Sequence, residues 1–147
     1  MTDLVITDLG AGAAGEHLVC ADLLLQGYRA FMSDQNCPYD IAVDAGRLIR
    51  IQVKTTRAAR SIPQRATHIA SYMWNVRRAG KGGRRVYGDD EFDMLALVAL
   101  DTRKIAYVAG PQRKQTIHIR PNDDSPQGKT FSQFPFSSAL SALGVSL

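Results

Sequence analysis

The stretch Tyr39–Thr56, YDIAVDAGRLIRIQVKTT, carries two apolar alternations separated by a turn. Ile41 and Val43 alternate with Asp40, Ala42 and Asp44, and Ile49, Ile51 and Val53 alternate with Arg50, Gln52 and Lys54. A period of two belongs to a strand with one buried face. Asp44-Ala45-Gly46-Arg47 supplies turn chemistry between the two runs, so the segment predicts a β-hairpin. With Gly46 at its centre, Asp40 falls across from Gln52, where directly opposed Cβ atoms lie about 5 Å apart. Lys54 follows two residues on, roughly 6.5 Å farther along the same face. An acid, a neutral oxygen donor and an ammonium are thereby gathered opposite the aliphatic face.

Working outward towards the N-terminus, Asn36-Cys37-Pro38 reads as a loop and Tyr28–Met32 as a strand. Ala11–Gln26 predicts a helix with an apolar stripe of Ala14, Leu18, Cys20, Ala21, Leu24 and Leu25, stopped by Gly27. Towards the C-terminus, His68–Val76 alternates less cleanly through Tyr72, Trp74 and Val76 and predicts another strand. Tyr72 and Trp74, spaced by two, read as core or interface. Arg77–Gly88 reads as a Gly/Arg-rich loop, mobile without a partner. Phe92–Leu100 predicts a strongly apolar strand, turned by Asp101–Lys104 into a second at Ile105–Ala109. Gln115–Arg120 reads as a short edge strand, Pro121–Gln127 as a loop and Ser137–Leu143 as a closing helix. A helix followed by strands largely joined by hairpins is an α+β or mixed α/β arrangement.

The chain of 147 residues, 45% hydrophobic and 22% charged, is expected to form one domain, 1–147. Its two cysteines, Cys20 and Cys37, form no ligand motif, and so low a count points to a reducing, cytoplasmic setting. Asp3 and Asp8 interrupt the apolar start, so no signal peptide is read there, and no run approaches a membrane span.

The net charge of +4 is unevenly distributed. From Ala45 to Gly88 there is no Asp or Glu, yet 11 of the chain's 18 basic residues lie there. A one-sign block of this length favours a polyanion, and DNA is the partner it points to. Arg50, Arg57, Arg60 and Arg65 are candidate phosphate contacts, which position a duplex without reading its sequence. Arg77, Arg78, Lys81, Arg84 and Arg85 form a second candidate DNA-binding group that enters a groove or orders on binding.

The Asp40, Gln52 and Lys54 patch suits metal-assisted phosphodiester hydrolysis. A hard cation, Mg²⁺ or Mn²⁺, takes oxygen ligands. Asp40 supplies the main carboxylate, and the Gln52 side-chain oxygen and Val53 carbonyl complete the set. Lys54 serves the attacking water or the phosphate charge. One more carboxylate is needed, and Glu16, early on the helix, is the natural supplier; its alternative role is to stabilise the helix N-terminus. Asp44 is assigned to the turn and Asp93 to an ion pair with a nearby basic residue. His17, His68 and His118 have no ligand spacing.

Gly10–Gly15, GAGAAG, fits G-x-G-x-x-G. A dinucleotide fold places that pattern between a buried strand and a helix within repeated βαβ units. Here the chain continues into hairpins, so no nucleotide cofactor is expected, and the small residues are assigned to close approach of the helix.

Asp40 followed by Gln52-Val53-Lys54 resembles the signature of the PD-(D/E)XK, or restriction-endonuclease-like, nuclease superfamily. Gly15-Glu16 is similar to its helical glutamate. Within the superfamily the pattern most resembles the group I intron homing endonuclease type, through the Glu16 helix, Tyr39-Asp40, Gln52-Val53-Lys54, the aromatic segment Tyr72–Arg77 and the strand Glu91–Val98. Archaeal Holliday junction resolvases are similar over about the first sixty residues. The sequence departs from the family in Tyr39, inserted between Pro38 and Asp40, and in Gln52, which stands where an acid is usual. The resemblance implies a mixed central β-sheet flanked by helices and a metal-dependent DNA endonuclease with Glu16, Asp40, Gln52 and Lys54 as catalytic residues. It also implies a homo-oligomer, dimer or tetramer, because cutting both strands calls for two active sites. A resolvase-like nuclease and a catalytically silent DNA-binding module of the same fold are the alternatives.

Overall fold

The computed structural model describes residues 5–61, 70–76, 78–80, 83–85, 91–110, 116–125 and 128–145, with the backbone alone at 78–80 and 83–85. In chain order they form α1 (Asp8–Leu25), β1 (Arg29–Met32), β2 (Ile41–Asp44), β3 (Leu48–Thr56), β4 (Tyr72–Asn75), β5 (Arg78–Gly80) and β6 (Gly83–Arg85). They continue with β7 (Met94–Ala99), β8 (Lys104–Ala109), β9 (Thr116–Ile119) and, after a 3₁₀ turn at Phe131–Gln133, α2 (Phe136–Ala142). The architecture is mixed α/β: a five-stranded sheet in the order β1-β2-β3-β7-β8, flanked by helices.

The hairpin has the register that the alternation predicts. Ile41 pairs with Ile51 and Asp44 with Leu48, and the turn is closed by Gly46 at φ +88°, whose N–H donates to Asp44 Oδ1 at 3.2 Å. On its other edge β3 runs parallel to β7, from Ile51 beside Met94 to Thr56 beside Ala99. All six residues of β7 are buried, as expected of a central strand covered on both faces. Met94, Ala96 and Val98 join Ile41, Val43, Ile49, Ile51 and Val53 in a core beneath α1 and α2. Leu95, Leu97 and Ala99 face the other way, into a second core with Tyr72, Trp74, Ile117 and Ile119.

That second core is completed by a ribbon outside the main sheet. The short strand expected at Gln115–Arg120 is β9, which pairs with β4 in a separate two-stranded ribbon, Tyr72 against Ile119. The ribbon covers the Leu95–Leu97–Ala99 face of β7, and Trp74 Nε1–H fixes it by donating to the Val98 carbonyl at 3.0 Å. Within Arg77–Gly88, expected to be loop, the backbone instead pairs β5 with β6, Arg78 opposite Arg85.

Helix α1 begins three residues earlier than Ala11, because Thr7 is extended (φ −74°, ψ 165°) and its side chain accepts the Gly10 N–H at 3.0 Å. It ends as predicted, before Gly27 at φ +95°. Its buried seam is Ala11, Gly15, Val19 and Leu23, not the predicted stripe; Leu24 and Leu25 are exposed. The helix is apolar around most of its circumference, so periodicity cannot select a face. Packing selects the seam whose first two turns carry the smallest residues, where the helix meets the sheet.

Asp93, expected to pair with a basic residue, ties the start of the parallel pair together. Its carboxylate accepts the Arg50 N–H at 2.8 Å and both Arg50 Nε and Nη2 at 3.2 Å. Burial alone raises the Asp93 carboxyl, but the Arg50 side-chain and backbone hydrogen bonds, with the charges of Arg50 and Arg47, hold it below its ordinary value. On the opposite side of the sheet, Phe136 of α2 packs edge-on against Tyr28 and Tyr107, and Tyr107 donates to Asp22 Oδ2 of α1 at 2.5 Å. Among the described residues no helix is long and apolar enough to cross a membrane.

Candidate active site

Even and odd residues of β3 turn their backbone groups to different neighbours. Arg50 and Thr56 carbonyls accept from Asp93 and Leu100 on the β7 side, at 2.8 Å each. The Ile51 carbonyl accepts the Asp40 N–H on the β2 side, also at 2.8 Å. Val53 therefore directs its N–H and C=O towards β2, but β2 begins only at Ile41, opposite Ile51. The Asp40 carboxylate takes the place of the missing backbone acceptor, with Oδ2 2.8 Å from the Val53 N. This bond orients Asp40 at the point where β2 leaves β3 and the sheet edge opens.

Helix α1 delivers Glu16 to the same point. The approach depends on Gly15: a Cβ there would lie 1.9 Å from Thr55 Oγ1, 3.0 Å from its Cβ and 3.2 Å from its Cγ2. No side chain fits between helix and strand, so Gly15 sets the helix height and Glu16, the next residue, faces Asp40. Of the G-x-G-x-x-G glycines, Gly12 has open space around its Cβ position and all three lie within α1. The pattern is thus part of the helix itself and not a turn leading into it.

Glu16, Asp40, Gln52, Val53 and Lys54 line one cleft of about 410 Å³, together with Asp8, Ala11, Gly12, Thr55 and Arg57. The four residues singled out from sequence are thus brought together, and Gln52 lies across from Asp40 as the hairpin register requires. The Glu16 carboxyl is pushed up to about 7, first by burial, then by its hydrogen bond to Asp40 and by the Asp40 charge.

The cleft residues could offer a cation the two carboxyl groups, the Gln52 amide oxygen and the Val53 carbonyl, all hard donors of the kind that suit Mg²⁺ or Mn²⁺ and not a thiolate- or imidazole-seeking metal. No group of three His, Cys, Asp or Glu side chains is present among the described residues, so the neutral oxygens are needed to complete such a site.

The basic residues divide. Arg57 lines the cleft, with its Nη2 bonded to Asp8 Oδ1 and to the Ile6 carbonyl at 2.9 Å each. Arg60 is exposed, its backbone bridged to Ser71. Arg50 is held by Asp93, its side chain 29% exposed. The backbone of Arg78, Arg84 and Arg85 lies in the β5–β6 hairpin, whereas Arg65, Arg77 and Lys81 lie outside the described residues. Sequence reasoning missed Asp8 and Thr55 as cleft residues. Asp8 was visible as an acid near a helix start, but nothing local placed it beside residue 57.

A mixed sheet whose splayed central hairpin holds an acid, an amide and a lysine against a helical glutamate defines a nuclease-type site. Residues 9–135 match the family model described as PD-(D/E)XK endonuclease, and the chain belongs to that family. Among solved structures, a bacterial homing endonuclease, I-Ssp6803I, has the same fold: the match covers 94% of this chain and 95% of that one, with a TM-score of 0.67 and 14% sequence identity. A search of curated proteins finds no match.

Proposed function

We propose that this protein is a metal-dependent DNA endonuclease of the homing type, hydrolysing phosphodiester bonds at the Glu16–Asp40 cleft. The observation that carries the reading is the meeting of these two carboxyl groups, from α1 and from the residue just before β2, beside Gln52 and Lys54. Glu16, Asp40, the Gln52 amide oxygen and the Val53 carbonyl hold the cation. A divalent ion held by these residues would supply Lewis-acid activation of water and of the phosphate. Asp40 is held in position by the Val53 N–H, so it needs no reorganisation to act as a ligand. Lys54 orients the attacking water and neutralises charge that develops on the phosphate. Gln52 supplies an oxygen without a charge, which leaves the site one negative charge short of a three-acid set and weakens its hold on the cation.

The basic stretch 45–88, with no acid in it, supports DNA as the substrate. Arg57 and Arg60 at the end of β3, and the arginine-bearing hairpin, extend the contact beyond the cleft. Cleavage of both strands calls for a homo-oligomer, a dimer or tetramer, which sedimentation of the free protein measures.

The test compares wild type with Lys54→Ala on a randomised duplex pool and on a four-way junction, with and without Mg²⁺. Metal-dependent cleavage by wild type, reduced by about 10²-fold or more in Lys54→Ala, is expected for a group that acts on water or phosphate. Cleavage of the duplex supports the homing type, and preference for the junction supports the resolvase type. The uncharged Gln52 favours a second reading, a silent DNA-binding module. Binding without cleavage that stays absent in a Gln52→Glu variant with either metal favours that module.

A further inference from the structure

Arg57 immediately follows β3 and lines the cleft that holds Glu16, Asp40 and Lys54. It stands three positions after Lys54, about 10 Å along an extended chain. Its two hydrogen bonds, to Asp8 Oδ1 and the Ile6 carbonyl, both use Nη2. Among the described residues no partner engages Nε or Nη1, so one edge of the guanidinium stays available to a second anion. Asp8 stands in the first turn of α1, where the helix dipole favours an anion, and it too lines the cleft. The Asp8 side chain is fully exposed and that of Arg57 is 45% exposed, so the pair is weak and exchangeable.

A guanidinium binds carboxylate and phosphate through the same planar donors. We infer that Asp8 occupies Arg57 in place of a DNA phosphate, so that docking of a duplex exchanges the Arg57–Asp8 pair for an Arg57–phosphate pair. This rests on the nuclease reading above. Asp8 then acts as an affinity filter. Every duplex must displace it before a phosphate reaches Arg57.

The experiment measures duplex affinity by fluorescence anisotropy in EDTA, where nothing is cut, for wild type, Asp8→Asn, Arg57→Ala and the double variant. Asp8→Asn is expected to bind about two- to five-fold tighter, the range of an exposed ion pair. Arg57→Ala is expected to bind more weakly, with a salt slope shallower by about 0.9. In the Arg57→Ala background the Asp8→Asn gain should vanish. Asp8→Ser, with thermal melts of all variants, guards against a fold defect at the start of α1. An equal gain with and without Arg57 overturns the inference, because it reports only the loss of a negative charge. Unchanged affinity in Asp8→Asn overturns it as well. Wild type that binds no DNA overturns the nuclease reading itself, an outcome distinct from binding that ignores Asp8.

Discussion

Adding one methyl group at Gly15 tests how the site is assembled. In Gly15→Ala the new Cβ meets Thr55 Oγ1 at 1.9 Å. Rotating Thr55 does not clear it, because the Thr55 Cβ itself is at 3.0 Å. With Thr55 in its present rotamer, helix α1 must withdraw by about 1 Å to restore ordinary contact, and Glu16 withdraws with it. Overpacking of this kind costs about 1–3 kcal/mol, offset by the roughly 1 kcal/mol that Ala gains over Gly inside a helix. The net loss of stability is therefore about 0–2 kcal/mol, read by urea denaturation. Activity falls much further, by about 10²-fold, because a displacement near 1 Å in a catalytic group has that effect. Gly12→Ala is the control: its Cβ meets nothing within 4 Å, and it should stabilise by up to about 1 kcal/mol. Thr55→Ala, which removes Oγ1 and Cγ2 from the path, should partly rescue Gly15→Ala. Thr55 Oγ1 is buried with no hydrogen-bond partner among the described residues, so its removal by itself breaks no bond. If Gly15→Ala were as stable as Gly12→Ala and cleaved at the wild-type rate, the argument that Gly15 sets the position of Glu16 would be refuted.

The Glu16 carboxyl binds a proton in the folded protein up to about 7, against an ordinary value of 4.5. A raised acid means that the folded state holds more protons than the unfolded one across that window, so stability falls as pH rises through it and is unaffected below. In EDTA the melting temperature of wild type should drop between pH 5 and 8 by more than that of Glu16→Gln. Addition of Mg²⁺ near pH 6.5 should release protons, measurable by calorimetry in two buffers. A melting curve equally flat in both proteins counts against the Glu16–Asp40 contact. Asp93 titrates in the opposite sense: its carboxyl is held below 3.8, so the stabilisation is present at neutral pH and lost as pH falls through the folded value. Asp93→Asn should lose about 1.5–3 kcal/mol at pH 7, with the difference from wild type shrinking under strong acid. An equal deficit at both pH values would mean that packing, not the Arg50 ion pair, is what Asp93 provides.

The sequence by itself determined the hairpin and its register. Alternation along Asp40–Lys54 and a turn at Gly46 leave one pairing that keeps every aliphatic side chain on a single face, and that pairing puts Asp40 across from Gln52. It determined the helix carrying Glu16 and the apolar strand Met94–Ala99, because backbone periodicity is a local property. Tertiary packing decided which face of α1 is buried, since a helix apolar nearly all round offers no preferred side until Gly15 meets Thr55. It decided that residues 116–119 join β4 and not the main sheet, because the second face of β7 had to be covered. It decided the pairs Arg50–Asp93 and Asp8–Arg57, whose members lie 43 and 49 residues apart. No local pattern links such residues; they meet where the sheet and helix bring them, and the cleft exists because β2 stops two residues short of where β3 needs a partner.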